Sequence, residues 1–229
     1  MEFDENYYEG NSQDRDRPAL WFYQRIWKKY CGGKLVLEFG CGVGFFAKRL
    51  SEFATVYGLE INDYARKQFL INAPLATPID DMNILSSNSL DSIVSLHVLE
   101  HIPDIELREV GVQFNRVLKA NGRLLIVVPN LSGAAKNLHG INWMGFRDIT
   151  HVNLKTSSDW VQWFDTEWSM NVEYSAADGY YAFPYGKALH QRIFADFSRL
   201  ARTGIQFLLG RLVLAPNDGE AVIFVLKKK

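Results

Sequence analysis

The sequence is poor in the features on which secreted and membrane proteins depend. Its 229 residues include two cysteines, Cys31 and Cys41, which excludes a disulfide framework and a thiolate zinc site and is typical of a reducing compartment. No apolar run approaches the roughly 20 residues that a bilayer-spanning helix needs. The first residues are acidic, where a secretion signal would be basic and then apolar. We therefore expect a cytoplasmic protein without stable membrane insertion.

An excess of positive charge is also missing. Lys and Arg together number 25, and Asp and Glu number 26, so the net charge is -1 at pH 7. A nucleic-acid-binding surface needs a basic excess, and we expect no nucleic-acid partner. Core-forming residues are abundant, since 48% of the chain is hydrophobic and 14% is aromatic. This composition favours a folded domain over disorder.

Short apolar runs alternate with helical segments along most of the chain, without internal repeats or low-complexity linkers. The runs predict strands at 34–39, 55–60, 75–79, 90–96 and 123–128, and helices at 18–30, 44–53, 62–71 and 104–119. Strands and helices that alternate in this way form parallel pairs through right-handed crossovers, so we expect a doubly wound α/β sheet.

The two ends of the chain are less regular. Residues 1–17 are rich in acids and predict a loose arm. Asn121-Gly122 is interpreted as the end of the helix that begins near 104. Beyond the fifth strand the pattern predicts a helix at 157–164, a strand at 168–176, a helix at 187–209 and a strand at 220–226.

A glycine-rich segment follows the first predicted strand and opens the next helix. It reads Val36-Leu-Glu-Phe-Gly-Cys-Gly-Val-Gly44. Glycine lets the backbone turn sharply and approach a ligand, because no Cβ stands in the way. The dinucleotide fingerprint GxGxxG would need its third glycine where this chain has Phe45, and no GxxxxGK[ST] phosphate loop occurs. The segment predicts a ligand site that does not depend on a phosphate.

The segment Glu38-Phe-Gly-Cys-Gly-Val-Gly44 resembles motif I of the class I S-adenosylmethionine-dependent methyltransferases, whose usual form is Asp or Glu, x, Gly, x, Gly, x, Gly. Further segments extend the resemblance over most of the chain, in the order of the family: Gly58 to Glu60, Val94 to Asp104, Arg116 to Gly122, Ile126 to Asn130 and Asp148 to Asn153. The last of these resembles the branch that includes ubiquinone-biosynthesis-type O-methyltransferases.

The resemblance implies a fold and an activity. The fold is a doubly wound, seven-stranded, mostly parallel sheet of the Rossmann-like methyltransferase type, with helices on both faces. The cofactor is S-adenosylmethionine, and we expect O-methylation of a small organic acceptor. We expect one domain over 1–229, with an N-terminal arm and cap helix at 1–30, a cofactor-binding core at 31–130, acceptor-side insertions and a lid at 131–215, and a final strand at 216–229.

The resemblance also implies which residues contact the cofactor. Glu38 would attract its α-ammonium group, and Glu60 would accept hydrogen bonds from the ribose diol. Asp80 or Asp81 would bind the adenine amino group, with Asp81 preferred, although the loop 81–91 is shorter than is usual in the family. Met82 would form an adaptable apolar wall. The full set is Glu38, Phe39, Gly40, Cys41, Gly42, Gly44, Glu60, Ile61, Asp80, Asp81, Met82, Leu96 and His97.

A hydroxyl acceptor has to lose a proton, and imidazole titrates near neutral pH. His151 is our first candidate for the general base, with His101 and Asp148 behind it, because these segments follow strands whose carboxyl ends should face the ligand. His151 could instead be a structural hydrogen-bonder. Six aromatic residues lie in segments expected to form a lid, where their rings would either stack on the acceptor or bury the lid against itself: Trp143, Phe146, Tyr180, Tyr181, Phe183 and Tyr185.

Two alternatives remain open. The pattern His97-Val-Leu-Glu-His101 matches the HxxEH motif of zinc proteases, in which one helix presents both histidines. Here the pattern follows a strand directly and Pro103 comes two residues later, so we expect no metal site and place a zinc hydrolase last. The other alternative is a methyltransferase fold that binds the cofactor or a partner without catalysis. The sequence contains no motif that predicts an oligomeric state or identifies the acceptor.

Overall fold

The computed structural model describes residues 5–10, 13–179 and 201–229. Its helices are α1 (Glu5–Gly10), α2 (Pro18–Ile26), α3 (Phe45–Leu50), α4 (Asp63–Asn72), α5 (Asp104–Val117), α6 (Ala134–His139), α7 (Met144–Arg147) and α8 (Ser157–Thr166). Its strands are β1 (Leu35–Phe39), β2 (Thr55–Leu59), β3 (Thr77–Ile79), β4 (Leu90–Leu96), β5 (Leu118–Pro129), β6 (Met170–Ala177) and β7 (Ala221–Lys228). A wider helical turn at Trp27–Cys31 extends α2, and residues 201–209 are helical.

Within the described residues, the seven strands form one sheet in the order β3-β2-β1-β4-β5-β7-β6. Neighbouring strands are parallel from β3 to β5, whereas β7 runs antiparallel to both β5 and β6. The strand order reverses between β1 and β4, and a crevice opens there at the carboxyl ends of the strands. The predicted fold, a doubly wound and mostly parallel sheet of seven strands, is confirmed.

The central strands are apolar along their whole length because both faces of the sheet are covered. In β5, Leu124 and Ile126 belong to one core cluster and Leu125 and Val127 to the other. Successive side chains of a strand point to opposite faces, so each cluster receives every second residue. This double burial explains why the sequence shows continuous apolar runs instead of polar and apolar residues in alternation.

Helices on both sides complete the two cores. Phe46 of α3 and Phe69 of α4 pack against one face of the sheet, together with residues of α2. Phe114 of α5 and Phe164 of α8 pack against the other. Among the helices that the structure describes, none is long and apolar enough to cross a bilayer.

The prediction of a loose N-terminal arm is wrong for residues 5–10. These residues form α1, and Tyr8 is 4% exposed and packs against Val43 and Ala65. The prediction weighed the acidic composition of the arm and overlooked its two adjacent tyrosines. Burial of a large aromatic ring stabilises a short segment enough to order it.

Strand β5 begins at Leu118 and not at 123, so Asn121-Gly122 lies inside a strand and does not end a helix. Leu118 pairs with Leu90, and the pairing register shifts before Ser92. Pairing with a neighbouring strand therefore overrides the local turn preference of Asn-Gly. The predicted helix at 187–209 is described only from 201, and Tyr180, Tyr181, Phe183 and Tyr185 lie outside the described residues.

Replacing Gly111 of α5 with alanine should destabilise the fold. A Cβ at this position would lie 2.5 Å from Nε1 of Trp168 and closer still to Cδ1. Trp168 is buried and donates a hydrogen bond to the carbonyl of Leu107, so it has little freedom to move. In urea unfolding we expect the free energy of unfolding to fall by about 1–3 kcal/mol.

The matched control is Gly204→Ala in the helical segment 201–209. A Cβ at Gly204 would meet nothing within 4 Å, and alanine is the better helix former by up to about 1 kcal/mol. This variant should be as stable as the original protein or more stable. Equal stability losses in both variants would contradict the packing explanation.

Candidate active site

The carboxyl ends of β1, β2, β3 and β4 enclose a cavity of about 430 Å³. Its location follows the rule that open parallel sheets bind ligands beyond the carboxyl ends of their strands, and its volume is in the range of small-molecule sites. It is lined by ten residues of the predicted cofactor set: Phe39, Gly40, Gly42, Glu60, Ile61, Asp80, Asp81, Met82, Leu96 and His97.

Two glycines shape the loop between β1 and α3. Gly40 has a φ of +72°, and a Cβ there would lie 2.8 Å from Cγ1 of Val98 and closer still to Cγ2. Gly44 has a φ of +94°, and a Cβ there would lie 2.8 Å from Cδ2 of Phe69. Both angles lie in the left-handed region that favours glycine. The loop backbone can therefore run beside a ligand without intervening side chains.

Glu60 follows β2 and ties this loop to the neighbouring strand. Its Oε2 accepts a hydrogen bond from the backbone N–H of Gly42 at 2.9 Å. Its Oε1 accepts from the backbone N–H groups of Ile61 at 2.9 Å and Asn62 at 3.0 Å. A carboxylate has about four lone-pair directions, so the oxygens keep acceptor capacity for the hydroxyls of a ribose.

Glu38 is a buried carboxyl near the end of β1. It is 3% exposed, and no described residue forms a hydrogen bond with its Oε2. Burial first, and the negative charge of Glu60 second, raise the pKa of Glu38 well above its ordinary value, although a backbone hydrogen bond at Ala47 acts in the opposite direction. A buried carboxyl without a partner is costly. The ammonium group of a ligand would supply that partner, so this residue fits the cofactor that the sequence predicts.

Cys41 and Gly44 line a smaller cavity next to Glu38. Burial, together with the charges of Glu38 and Glu60, raises the pKa of the Cys41 thiol well above its ordinary value. A thiol that stays protonated is a poor nucleophile. Cys41 is therefore a loop residue that packs against the site without reacting.

The aspartates after β3 lie at the far end of the large cavity. Asp80 is exposed and forms an ion pair with Arg66. Asp81 accepts hydrogen bonds from the backbone N–H and from Nδ2 of Asn83, both at 2.9 Å, and so caps the helical turn Met82–Ile84. Both aspartates line the cavity beside the buried side chain of Met82. This arrangement offers hydrogen-bond acceptors and an apolar wall to a flat heterocycle.

Helix α1 and Gln13 beyond it contribute to the lining of the cavity, which was not predicted. Tyr7, Tyr8 and Gln13 line the cavity, and a Cβ added to Gly42 would lie 3.5 Å from Cε1 of Tyr8. The hydroxyl of Tyr7 donates a hydrogen bond to Oδ2 of Asp148 at 3.1 Å. The arm therefore links the glycine loop to the segment that follows β5.

A second group of polar side chains surrounds an adjoining pocket of about 100 Å³. This pocket brings together the three predicted catalytic residues, His101, Asp148 and His151. The ring centroids of the two histidines are 4.7 Å apart, and Nε2 of His151 lies 3.7 Å from Oδ2 of Asp148. His101 lines the large cavity as well, so the two spaces share a wall.

Hydrogen bonds fix the tautomers of both imidazoles. The hydroxyl of Thr150 donates to Oδ1 of Asp148 at 2.5 Å, and its oxygen lies 2.9 Å from Nδ1 of His101. Because the Thr150 hydroxyl proton already points to Asp148, the contact between Thr150 and His101 needs a proton on Nδ1 of His101. Nδ1 of His151 lies 2.8 Å from the carbonyl oxygen of Gly145, which can only accept. Each ring therefore carries its lone pair on Nε2.

The surroundings shift the pKa values of both His101 and Asp148 downward. Burial is the main cause that lowers the pKa of His101, and the nearby carboxylates oppose it. Burial alone would raise the pKa of Asp148, but hydrogen bonds from Thr150 and Tyr7 outweigh it and hold that pKa below its ordinary value. At neutral pH the pocket thus places a neutral imidazole next to an ionised carboxylate.

Glu100 is the functional candidate that the sequence analysis missed. Its side chain is 1% exposed, and neither of its oxygens has a hydrogen-bond partner among the described residues. Its Oε1 lies 3.5 Å from Nδ1 of His97 and 4.0 Å from Nε2 of His151. A signal was present, since Glu100 is the acid of the HxxEH pattern, but that pattern was considered only as a helical zinc motif.

The pattern His97 to His101 does not form one helix, as the sequence analysis expected. His97 has a φ of 57°, so the chain turns sharply after β4. Leu99–His101 is a single helical turn, and no continuous helix presents His97 and His101 on one face. A positive φ is uncommon at a residue other than glycine, and residues in sparsely populated backbone conformations cluster at functional sites.

A family model described as a methyltransferase domain matches residues 13–167, which is most of the chain. This chain belongs to that methyltransferase family. The matched region contains β1 to β5, the glycine loop, Glu38, Glu60 and the histidine pocket.

Curated relatives match this chain over shorter stretches. An uncharacterized methyltransferase of Geobacillus thermodenitrificans (strain NG80-2) is 31% identical over 98 residues, which cover 41% of this chain and 46% of that protein. The chain spans about half the length of the curated relatives that it matches.

Solved structures match over almost the whole chain. A SAM-dependent methyltransferase from Archaeoglobus fulgidus has a TM-score of 0.63 and 17% identity, covering 98% of this chain and 100% of that one. The plantazolicin methyltransferase BpumL, solved with SAH, has a TM-score of 0.66 and 16% identity, covering 99% of this chain and 91% of that one. At such identities the likeness shows the fold, which is that of the class I methyltransferases.

Replacing Glu38 with glutamine should stabilise the ligand-free methyltransferase at high pH. In the unfolded chain the carboxyl ionises near its ordinary pKa of 4.5, whereas in the folded chain burial holds the pKa well above that value. The unfolded state therefore loses its proton first, and stability falls as pH rises between the two values. Glutamine cannot ionise, so Glu38→Gln should gain about 1–3 kcal/mol over the original protein at pH 8 and little at pH 4.5.

Urea unfolding at the two pH values measures this difference. The same variant should bind S-adenosylmethionine more weakly, because the amide carries no charge to attract the α-ammonium group. A stability loss of equal size at both pH values would contradict the role of the buried charge.

Proposed function

We propose that this protein transfers the methyl group of S-adenosylmethionine to a hydroxyl oxygen of a small organic acceptor. The observation that carries the proposal is the glycine loop, which borders two adjoining cavities. Glu60 lines the large cavity, and Glu38, with its unpartnered oxygen, lines the smaller one. The glycine loop allows a ligand to approach the backbone closely. Glu60 would accept hydrogen bonds from a ribose diol, and Glu38 would pair with an ammonium group. That BpumL was solved with SAH in the same fold supports the cofactor assignment.

The bound cofactor would supply an electrophilic methyl group on a sulfonium sulfur. Glu38, Glu60 and the glycine loop would hold the cofactor, and the C–O bond to the acceptor would form as the C–S bond breaks and leaves its electron pair on the sulfur. The protein's own part is mainly positioning, and well-oriented reactants can lower a barrier by about 7–11 kcal/mol. Tyr7 and Tyr8 of helix α1 line the cavity and would help to exclude water from the reacting atoms.

The acceptor hydroxyl must also lose its proton. We propose that the acceptor lies against the pocket of His101, Asp148 and His151, and that the Nε2 lone pair of His151 accepts the proton. Its Nδ1–H is already held by Gly145, so Nε2 is the nitrogen that can act. Asp148 lies 3.7 Å from that nitrogen and would stabilise the imidazolium that forms. His101 shares the wall between the two cavities and would orient the acceptor.

The narrower assignment, to the branch of ubiquinone-biosynthesis-type O-methyltransferases, rests on the segment Asp148 to Asn153. In the structure this segment supplies Asp148, Thr150 and His151 to the pocket. Acceptors of this branch would be phenols. An aromatic ring suits a cavity whose walls include Phe39, Leu59 and Met82. We therefore propose phenolic compounds as the first acceptors to try.

Two measurements test the proposal. Calorimetry with S-adenosylmethionine and S-adenosylhomocysteine should show binding at one site. Incubation with methyl-labelled cofactor and panels of phenols, sugars and amines should then label the phenols. A protein that binds neither compound would overturn the proposal. Binding without transfer to any acceptor would favour the alternative of a methyltransferase fold without catalysis.

A further inference from the structure

We propose that Glu100, His101 and His151 form a binding site for a divalent transition-metal cation on the acceptor side of the methyltransferase pocket. The inference rests on the proposed function, since the cation would hold the acceptor hydroxyl. It opposes the expectation that the chain has no metal site. One ligand atom from each of the three residues lies within 4.8 Å of the other two.

The unusual state of Glu100 is the first observation. Its carboxyl group is 1% exposed, and no described residue donates a hydrogen bond to either oxygen. Buried charged groups are normally paired or bound to a metal. The neighbouring nitrogens of His97 and His151, at 3.5 Å and 4.0 Å from Oε1, are too far away to satisfy both oxygens as hydrogen-bond donors.

The tautomers of the two histidines are the second and independent observation. His151 uses Nδ1–H on the carbonyl of Gly145, and His101 uses Nδ1–H on Thr150, so both lone pairs are on Nε2. Metal-binding histidines are held in this way, with the other ring nitrogen donating to a carbonyl or to a chain that ends in a carboxylate. Here the chain runs from His101 through the hydroxyl of Thr150 to Asp148.

The ligand types select the kind of cation. Two imidazole nitrogens and one carboxylate suit zinc, iron, cobalt or nickel, whereas magnesium and calcium prefer oxygen ligands alone. In a tetrahedral zinc site each ligand atom is about 2.0–2.1 Å from the metal, so two ligand atoms are about 3.3–3.5 Å apart. Binding would therefore draw the three side chains of this cluster closer together.

Three protein ligands leave a coordination position open, as in catalytic metal sites. The surrounding pocket of about 100 Å³ gives that position access to the acceptor side of the cofactor cavity. A hydroxyl bound there would lose its proton at a lower pH, since a metal lowers the pKa of a bound hydroxyl group. With the cation bound, Nε2 of His151 would be a ligand, and the acceptor proton would go to solvent instead.

Direct titration of the full chain tests the site. Protein treated with a chelator and dialysed should bind one equivalent of Zn²⁺ by calorimetry, and Co²⁺ should give a visible ligand-field spectrum. Mg²⁺ should bind at least about 100-fold more weakly than Zn²⁺. Glu100→Gln and His151→Ala should each weaken Zn²⁺ binding by at least about 100-fold, more than the 10- to 100-fold typical of supporting residues.

His139→Ala is the matched control, because it removes a half-buried histidine outside the cluster. It should change Zn²⁺ affinity by less than about two-fold. Thr150→Val keeps the shape of the side chain and removes the hydroxyl that holds Nδ1 of His101, so it should weaken Zn²⁺ binding about 10- to 100-fold. This variant keeps the test decisive if Glu100→Gln fails to fold.

Two results would overturn the inference: no stoichiometric Zn²⁺ binding, or Zn²⁺ binding that Glu100→Gln and Thr150→Val leave unchanged. Neither result would disturb the proposed methyl transfer, which is read from calorimetry with S-adenosylhomocysteine on the same samples. Failure to bind S-adenosylhomocysteine would instead remove the proposed function, whatever the metal result.

Discussion

Replacing His151 with alanine should lower turnover by about 100- to 10,000-fold, the range in which general acid–base groups contribute. Affinity for S-adenosylhomocysteine should stay within about two-fold. The separation is expected because His151 lines the smaller pocket with Asp148, whereas the cofactor groups line the larger cavity. Single-turnover transfer of labelled methyl to the best phenol, measured beside calorimetry, gives both quantities. The loss is expected whether His151 accepts the proton or holds a cation.

His139→Ala serves as the control here as well, and it should keep full turnover. One measurement distinguishes the two roles of His151, proton acceptor and cation ligand. Only if His151 binds a cation should the original enzyme lose activity after chelation and regain it with Zn²⁺. If His151→Ala turned over at the original rate, the acceptor would have to lie elsewhere. Our assignment of the catalytic pocket would then be incorrect.

Replacing Glu60 with alanine should weaken S-adenosylmethionine binding by at least about 100-fold. A hydrogen bond to a charged group contributes about 1.5–3 kcal/mol, and a ribose diol would form two of them with this carboxylate. The backbone N–H of Gly42 donates a hydrogen bond to Oε2 of Glu60 at 2.9 Å. The substitution removes this bond and so loosens the glycine loop. Calorimetry with S-adenosylmethionine and with S-adenosylhomocysteine measures the loss.

Asp63→Ala is the matched control for this prediction. Asp63 is an exposed acid in the first turn of α4, three residues after Glu60, and it does not line the cavity. It should keep cofactor affinity within about two-fold and lose at most about 1 kcal/mol of stability, through the helix dipole. An affinity loss of similar size in both variants would indicate a general effect of negative charge and would remove the ribose role of Glu60.

The residues that we propose to bind the cofactor could be placed together from sequence because their geometry is local. Gly40, Gly42 and Glu38 belong to one strand-to-helix segment, and Glu60 follows the next strand. Parallel pairing of β1 with β2 then brings these residues to the same edge of the sheet. Once the strands are placed, little else is needed, since the carboxyl ends of neighbouring parallel strands always meet.

The pocket that we propose for the acceptor was anticipated only in part. His101, Asp148 and His151 were chosen for their residue type and for their place after strands, and the structure brings them together. Glu100 was missed because its burial depends on how the segment after β5 folds over it. The backbone N–H groups of Val152 and Asn153 donate to the carbonyl of Glu100, and no pattern in the sequence indicates that contact.

The amino-acid sequence by itself determined the strands, the glycine bend and the carboxylates beside it, because apolar periodicity and glycine placement act over a few neighbouring residues. Only the tertiary structure decided that α1 lines the cavity and that Glu100 lies near two imidazoles while no described residue donates a hydrogen bond to its carboxylate. Some of those contacts join distant segments, for example Tyr7 and Asp148, which are separated by 141 positions. Such contacts depend on the packing of whole helices against the sheet, and local sequence patterns do not encode it.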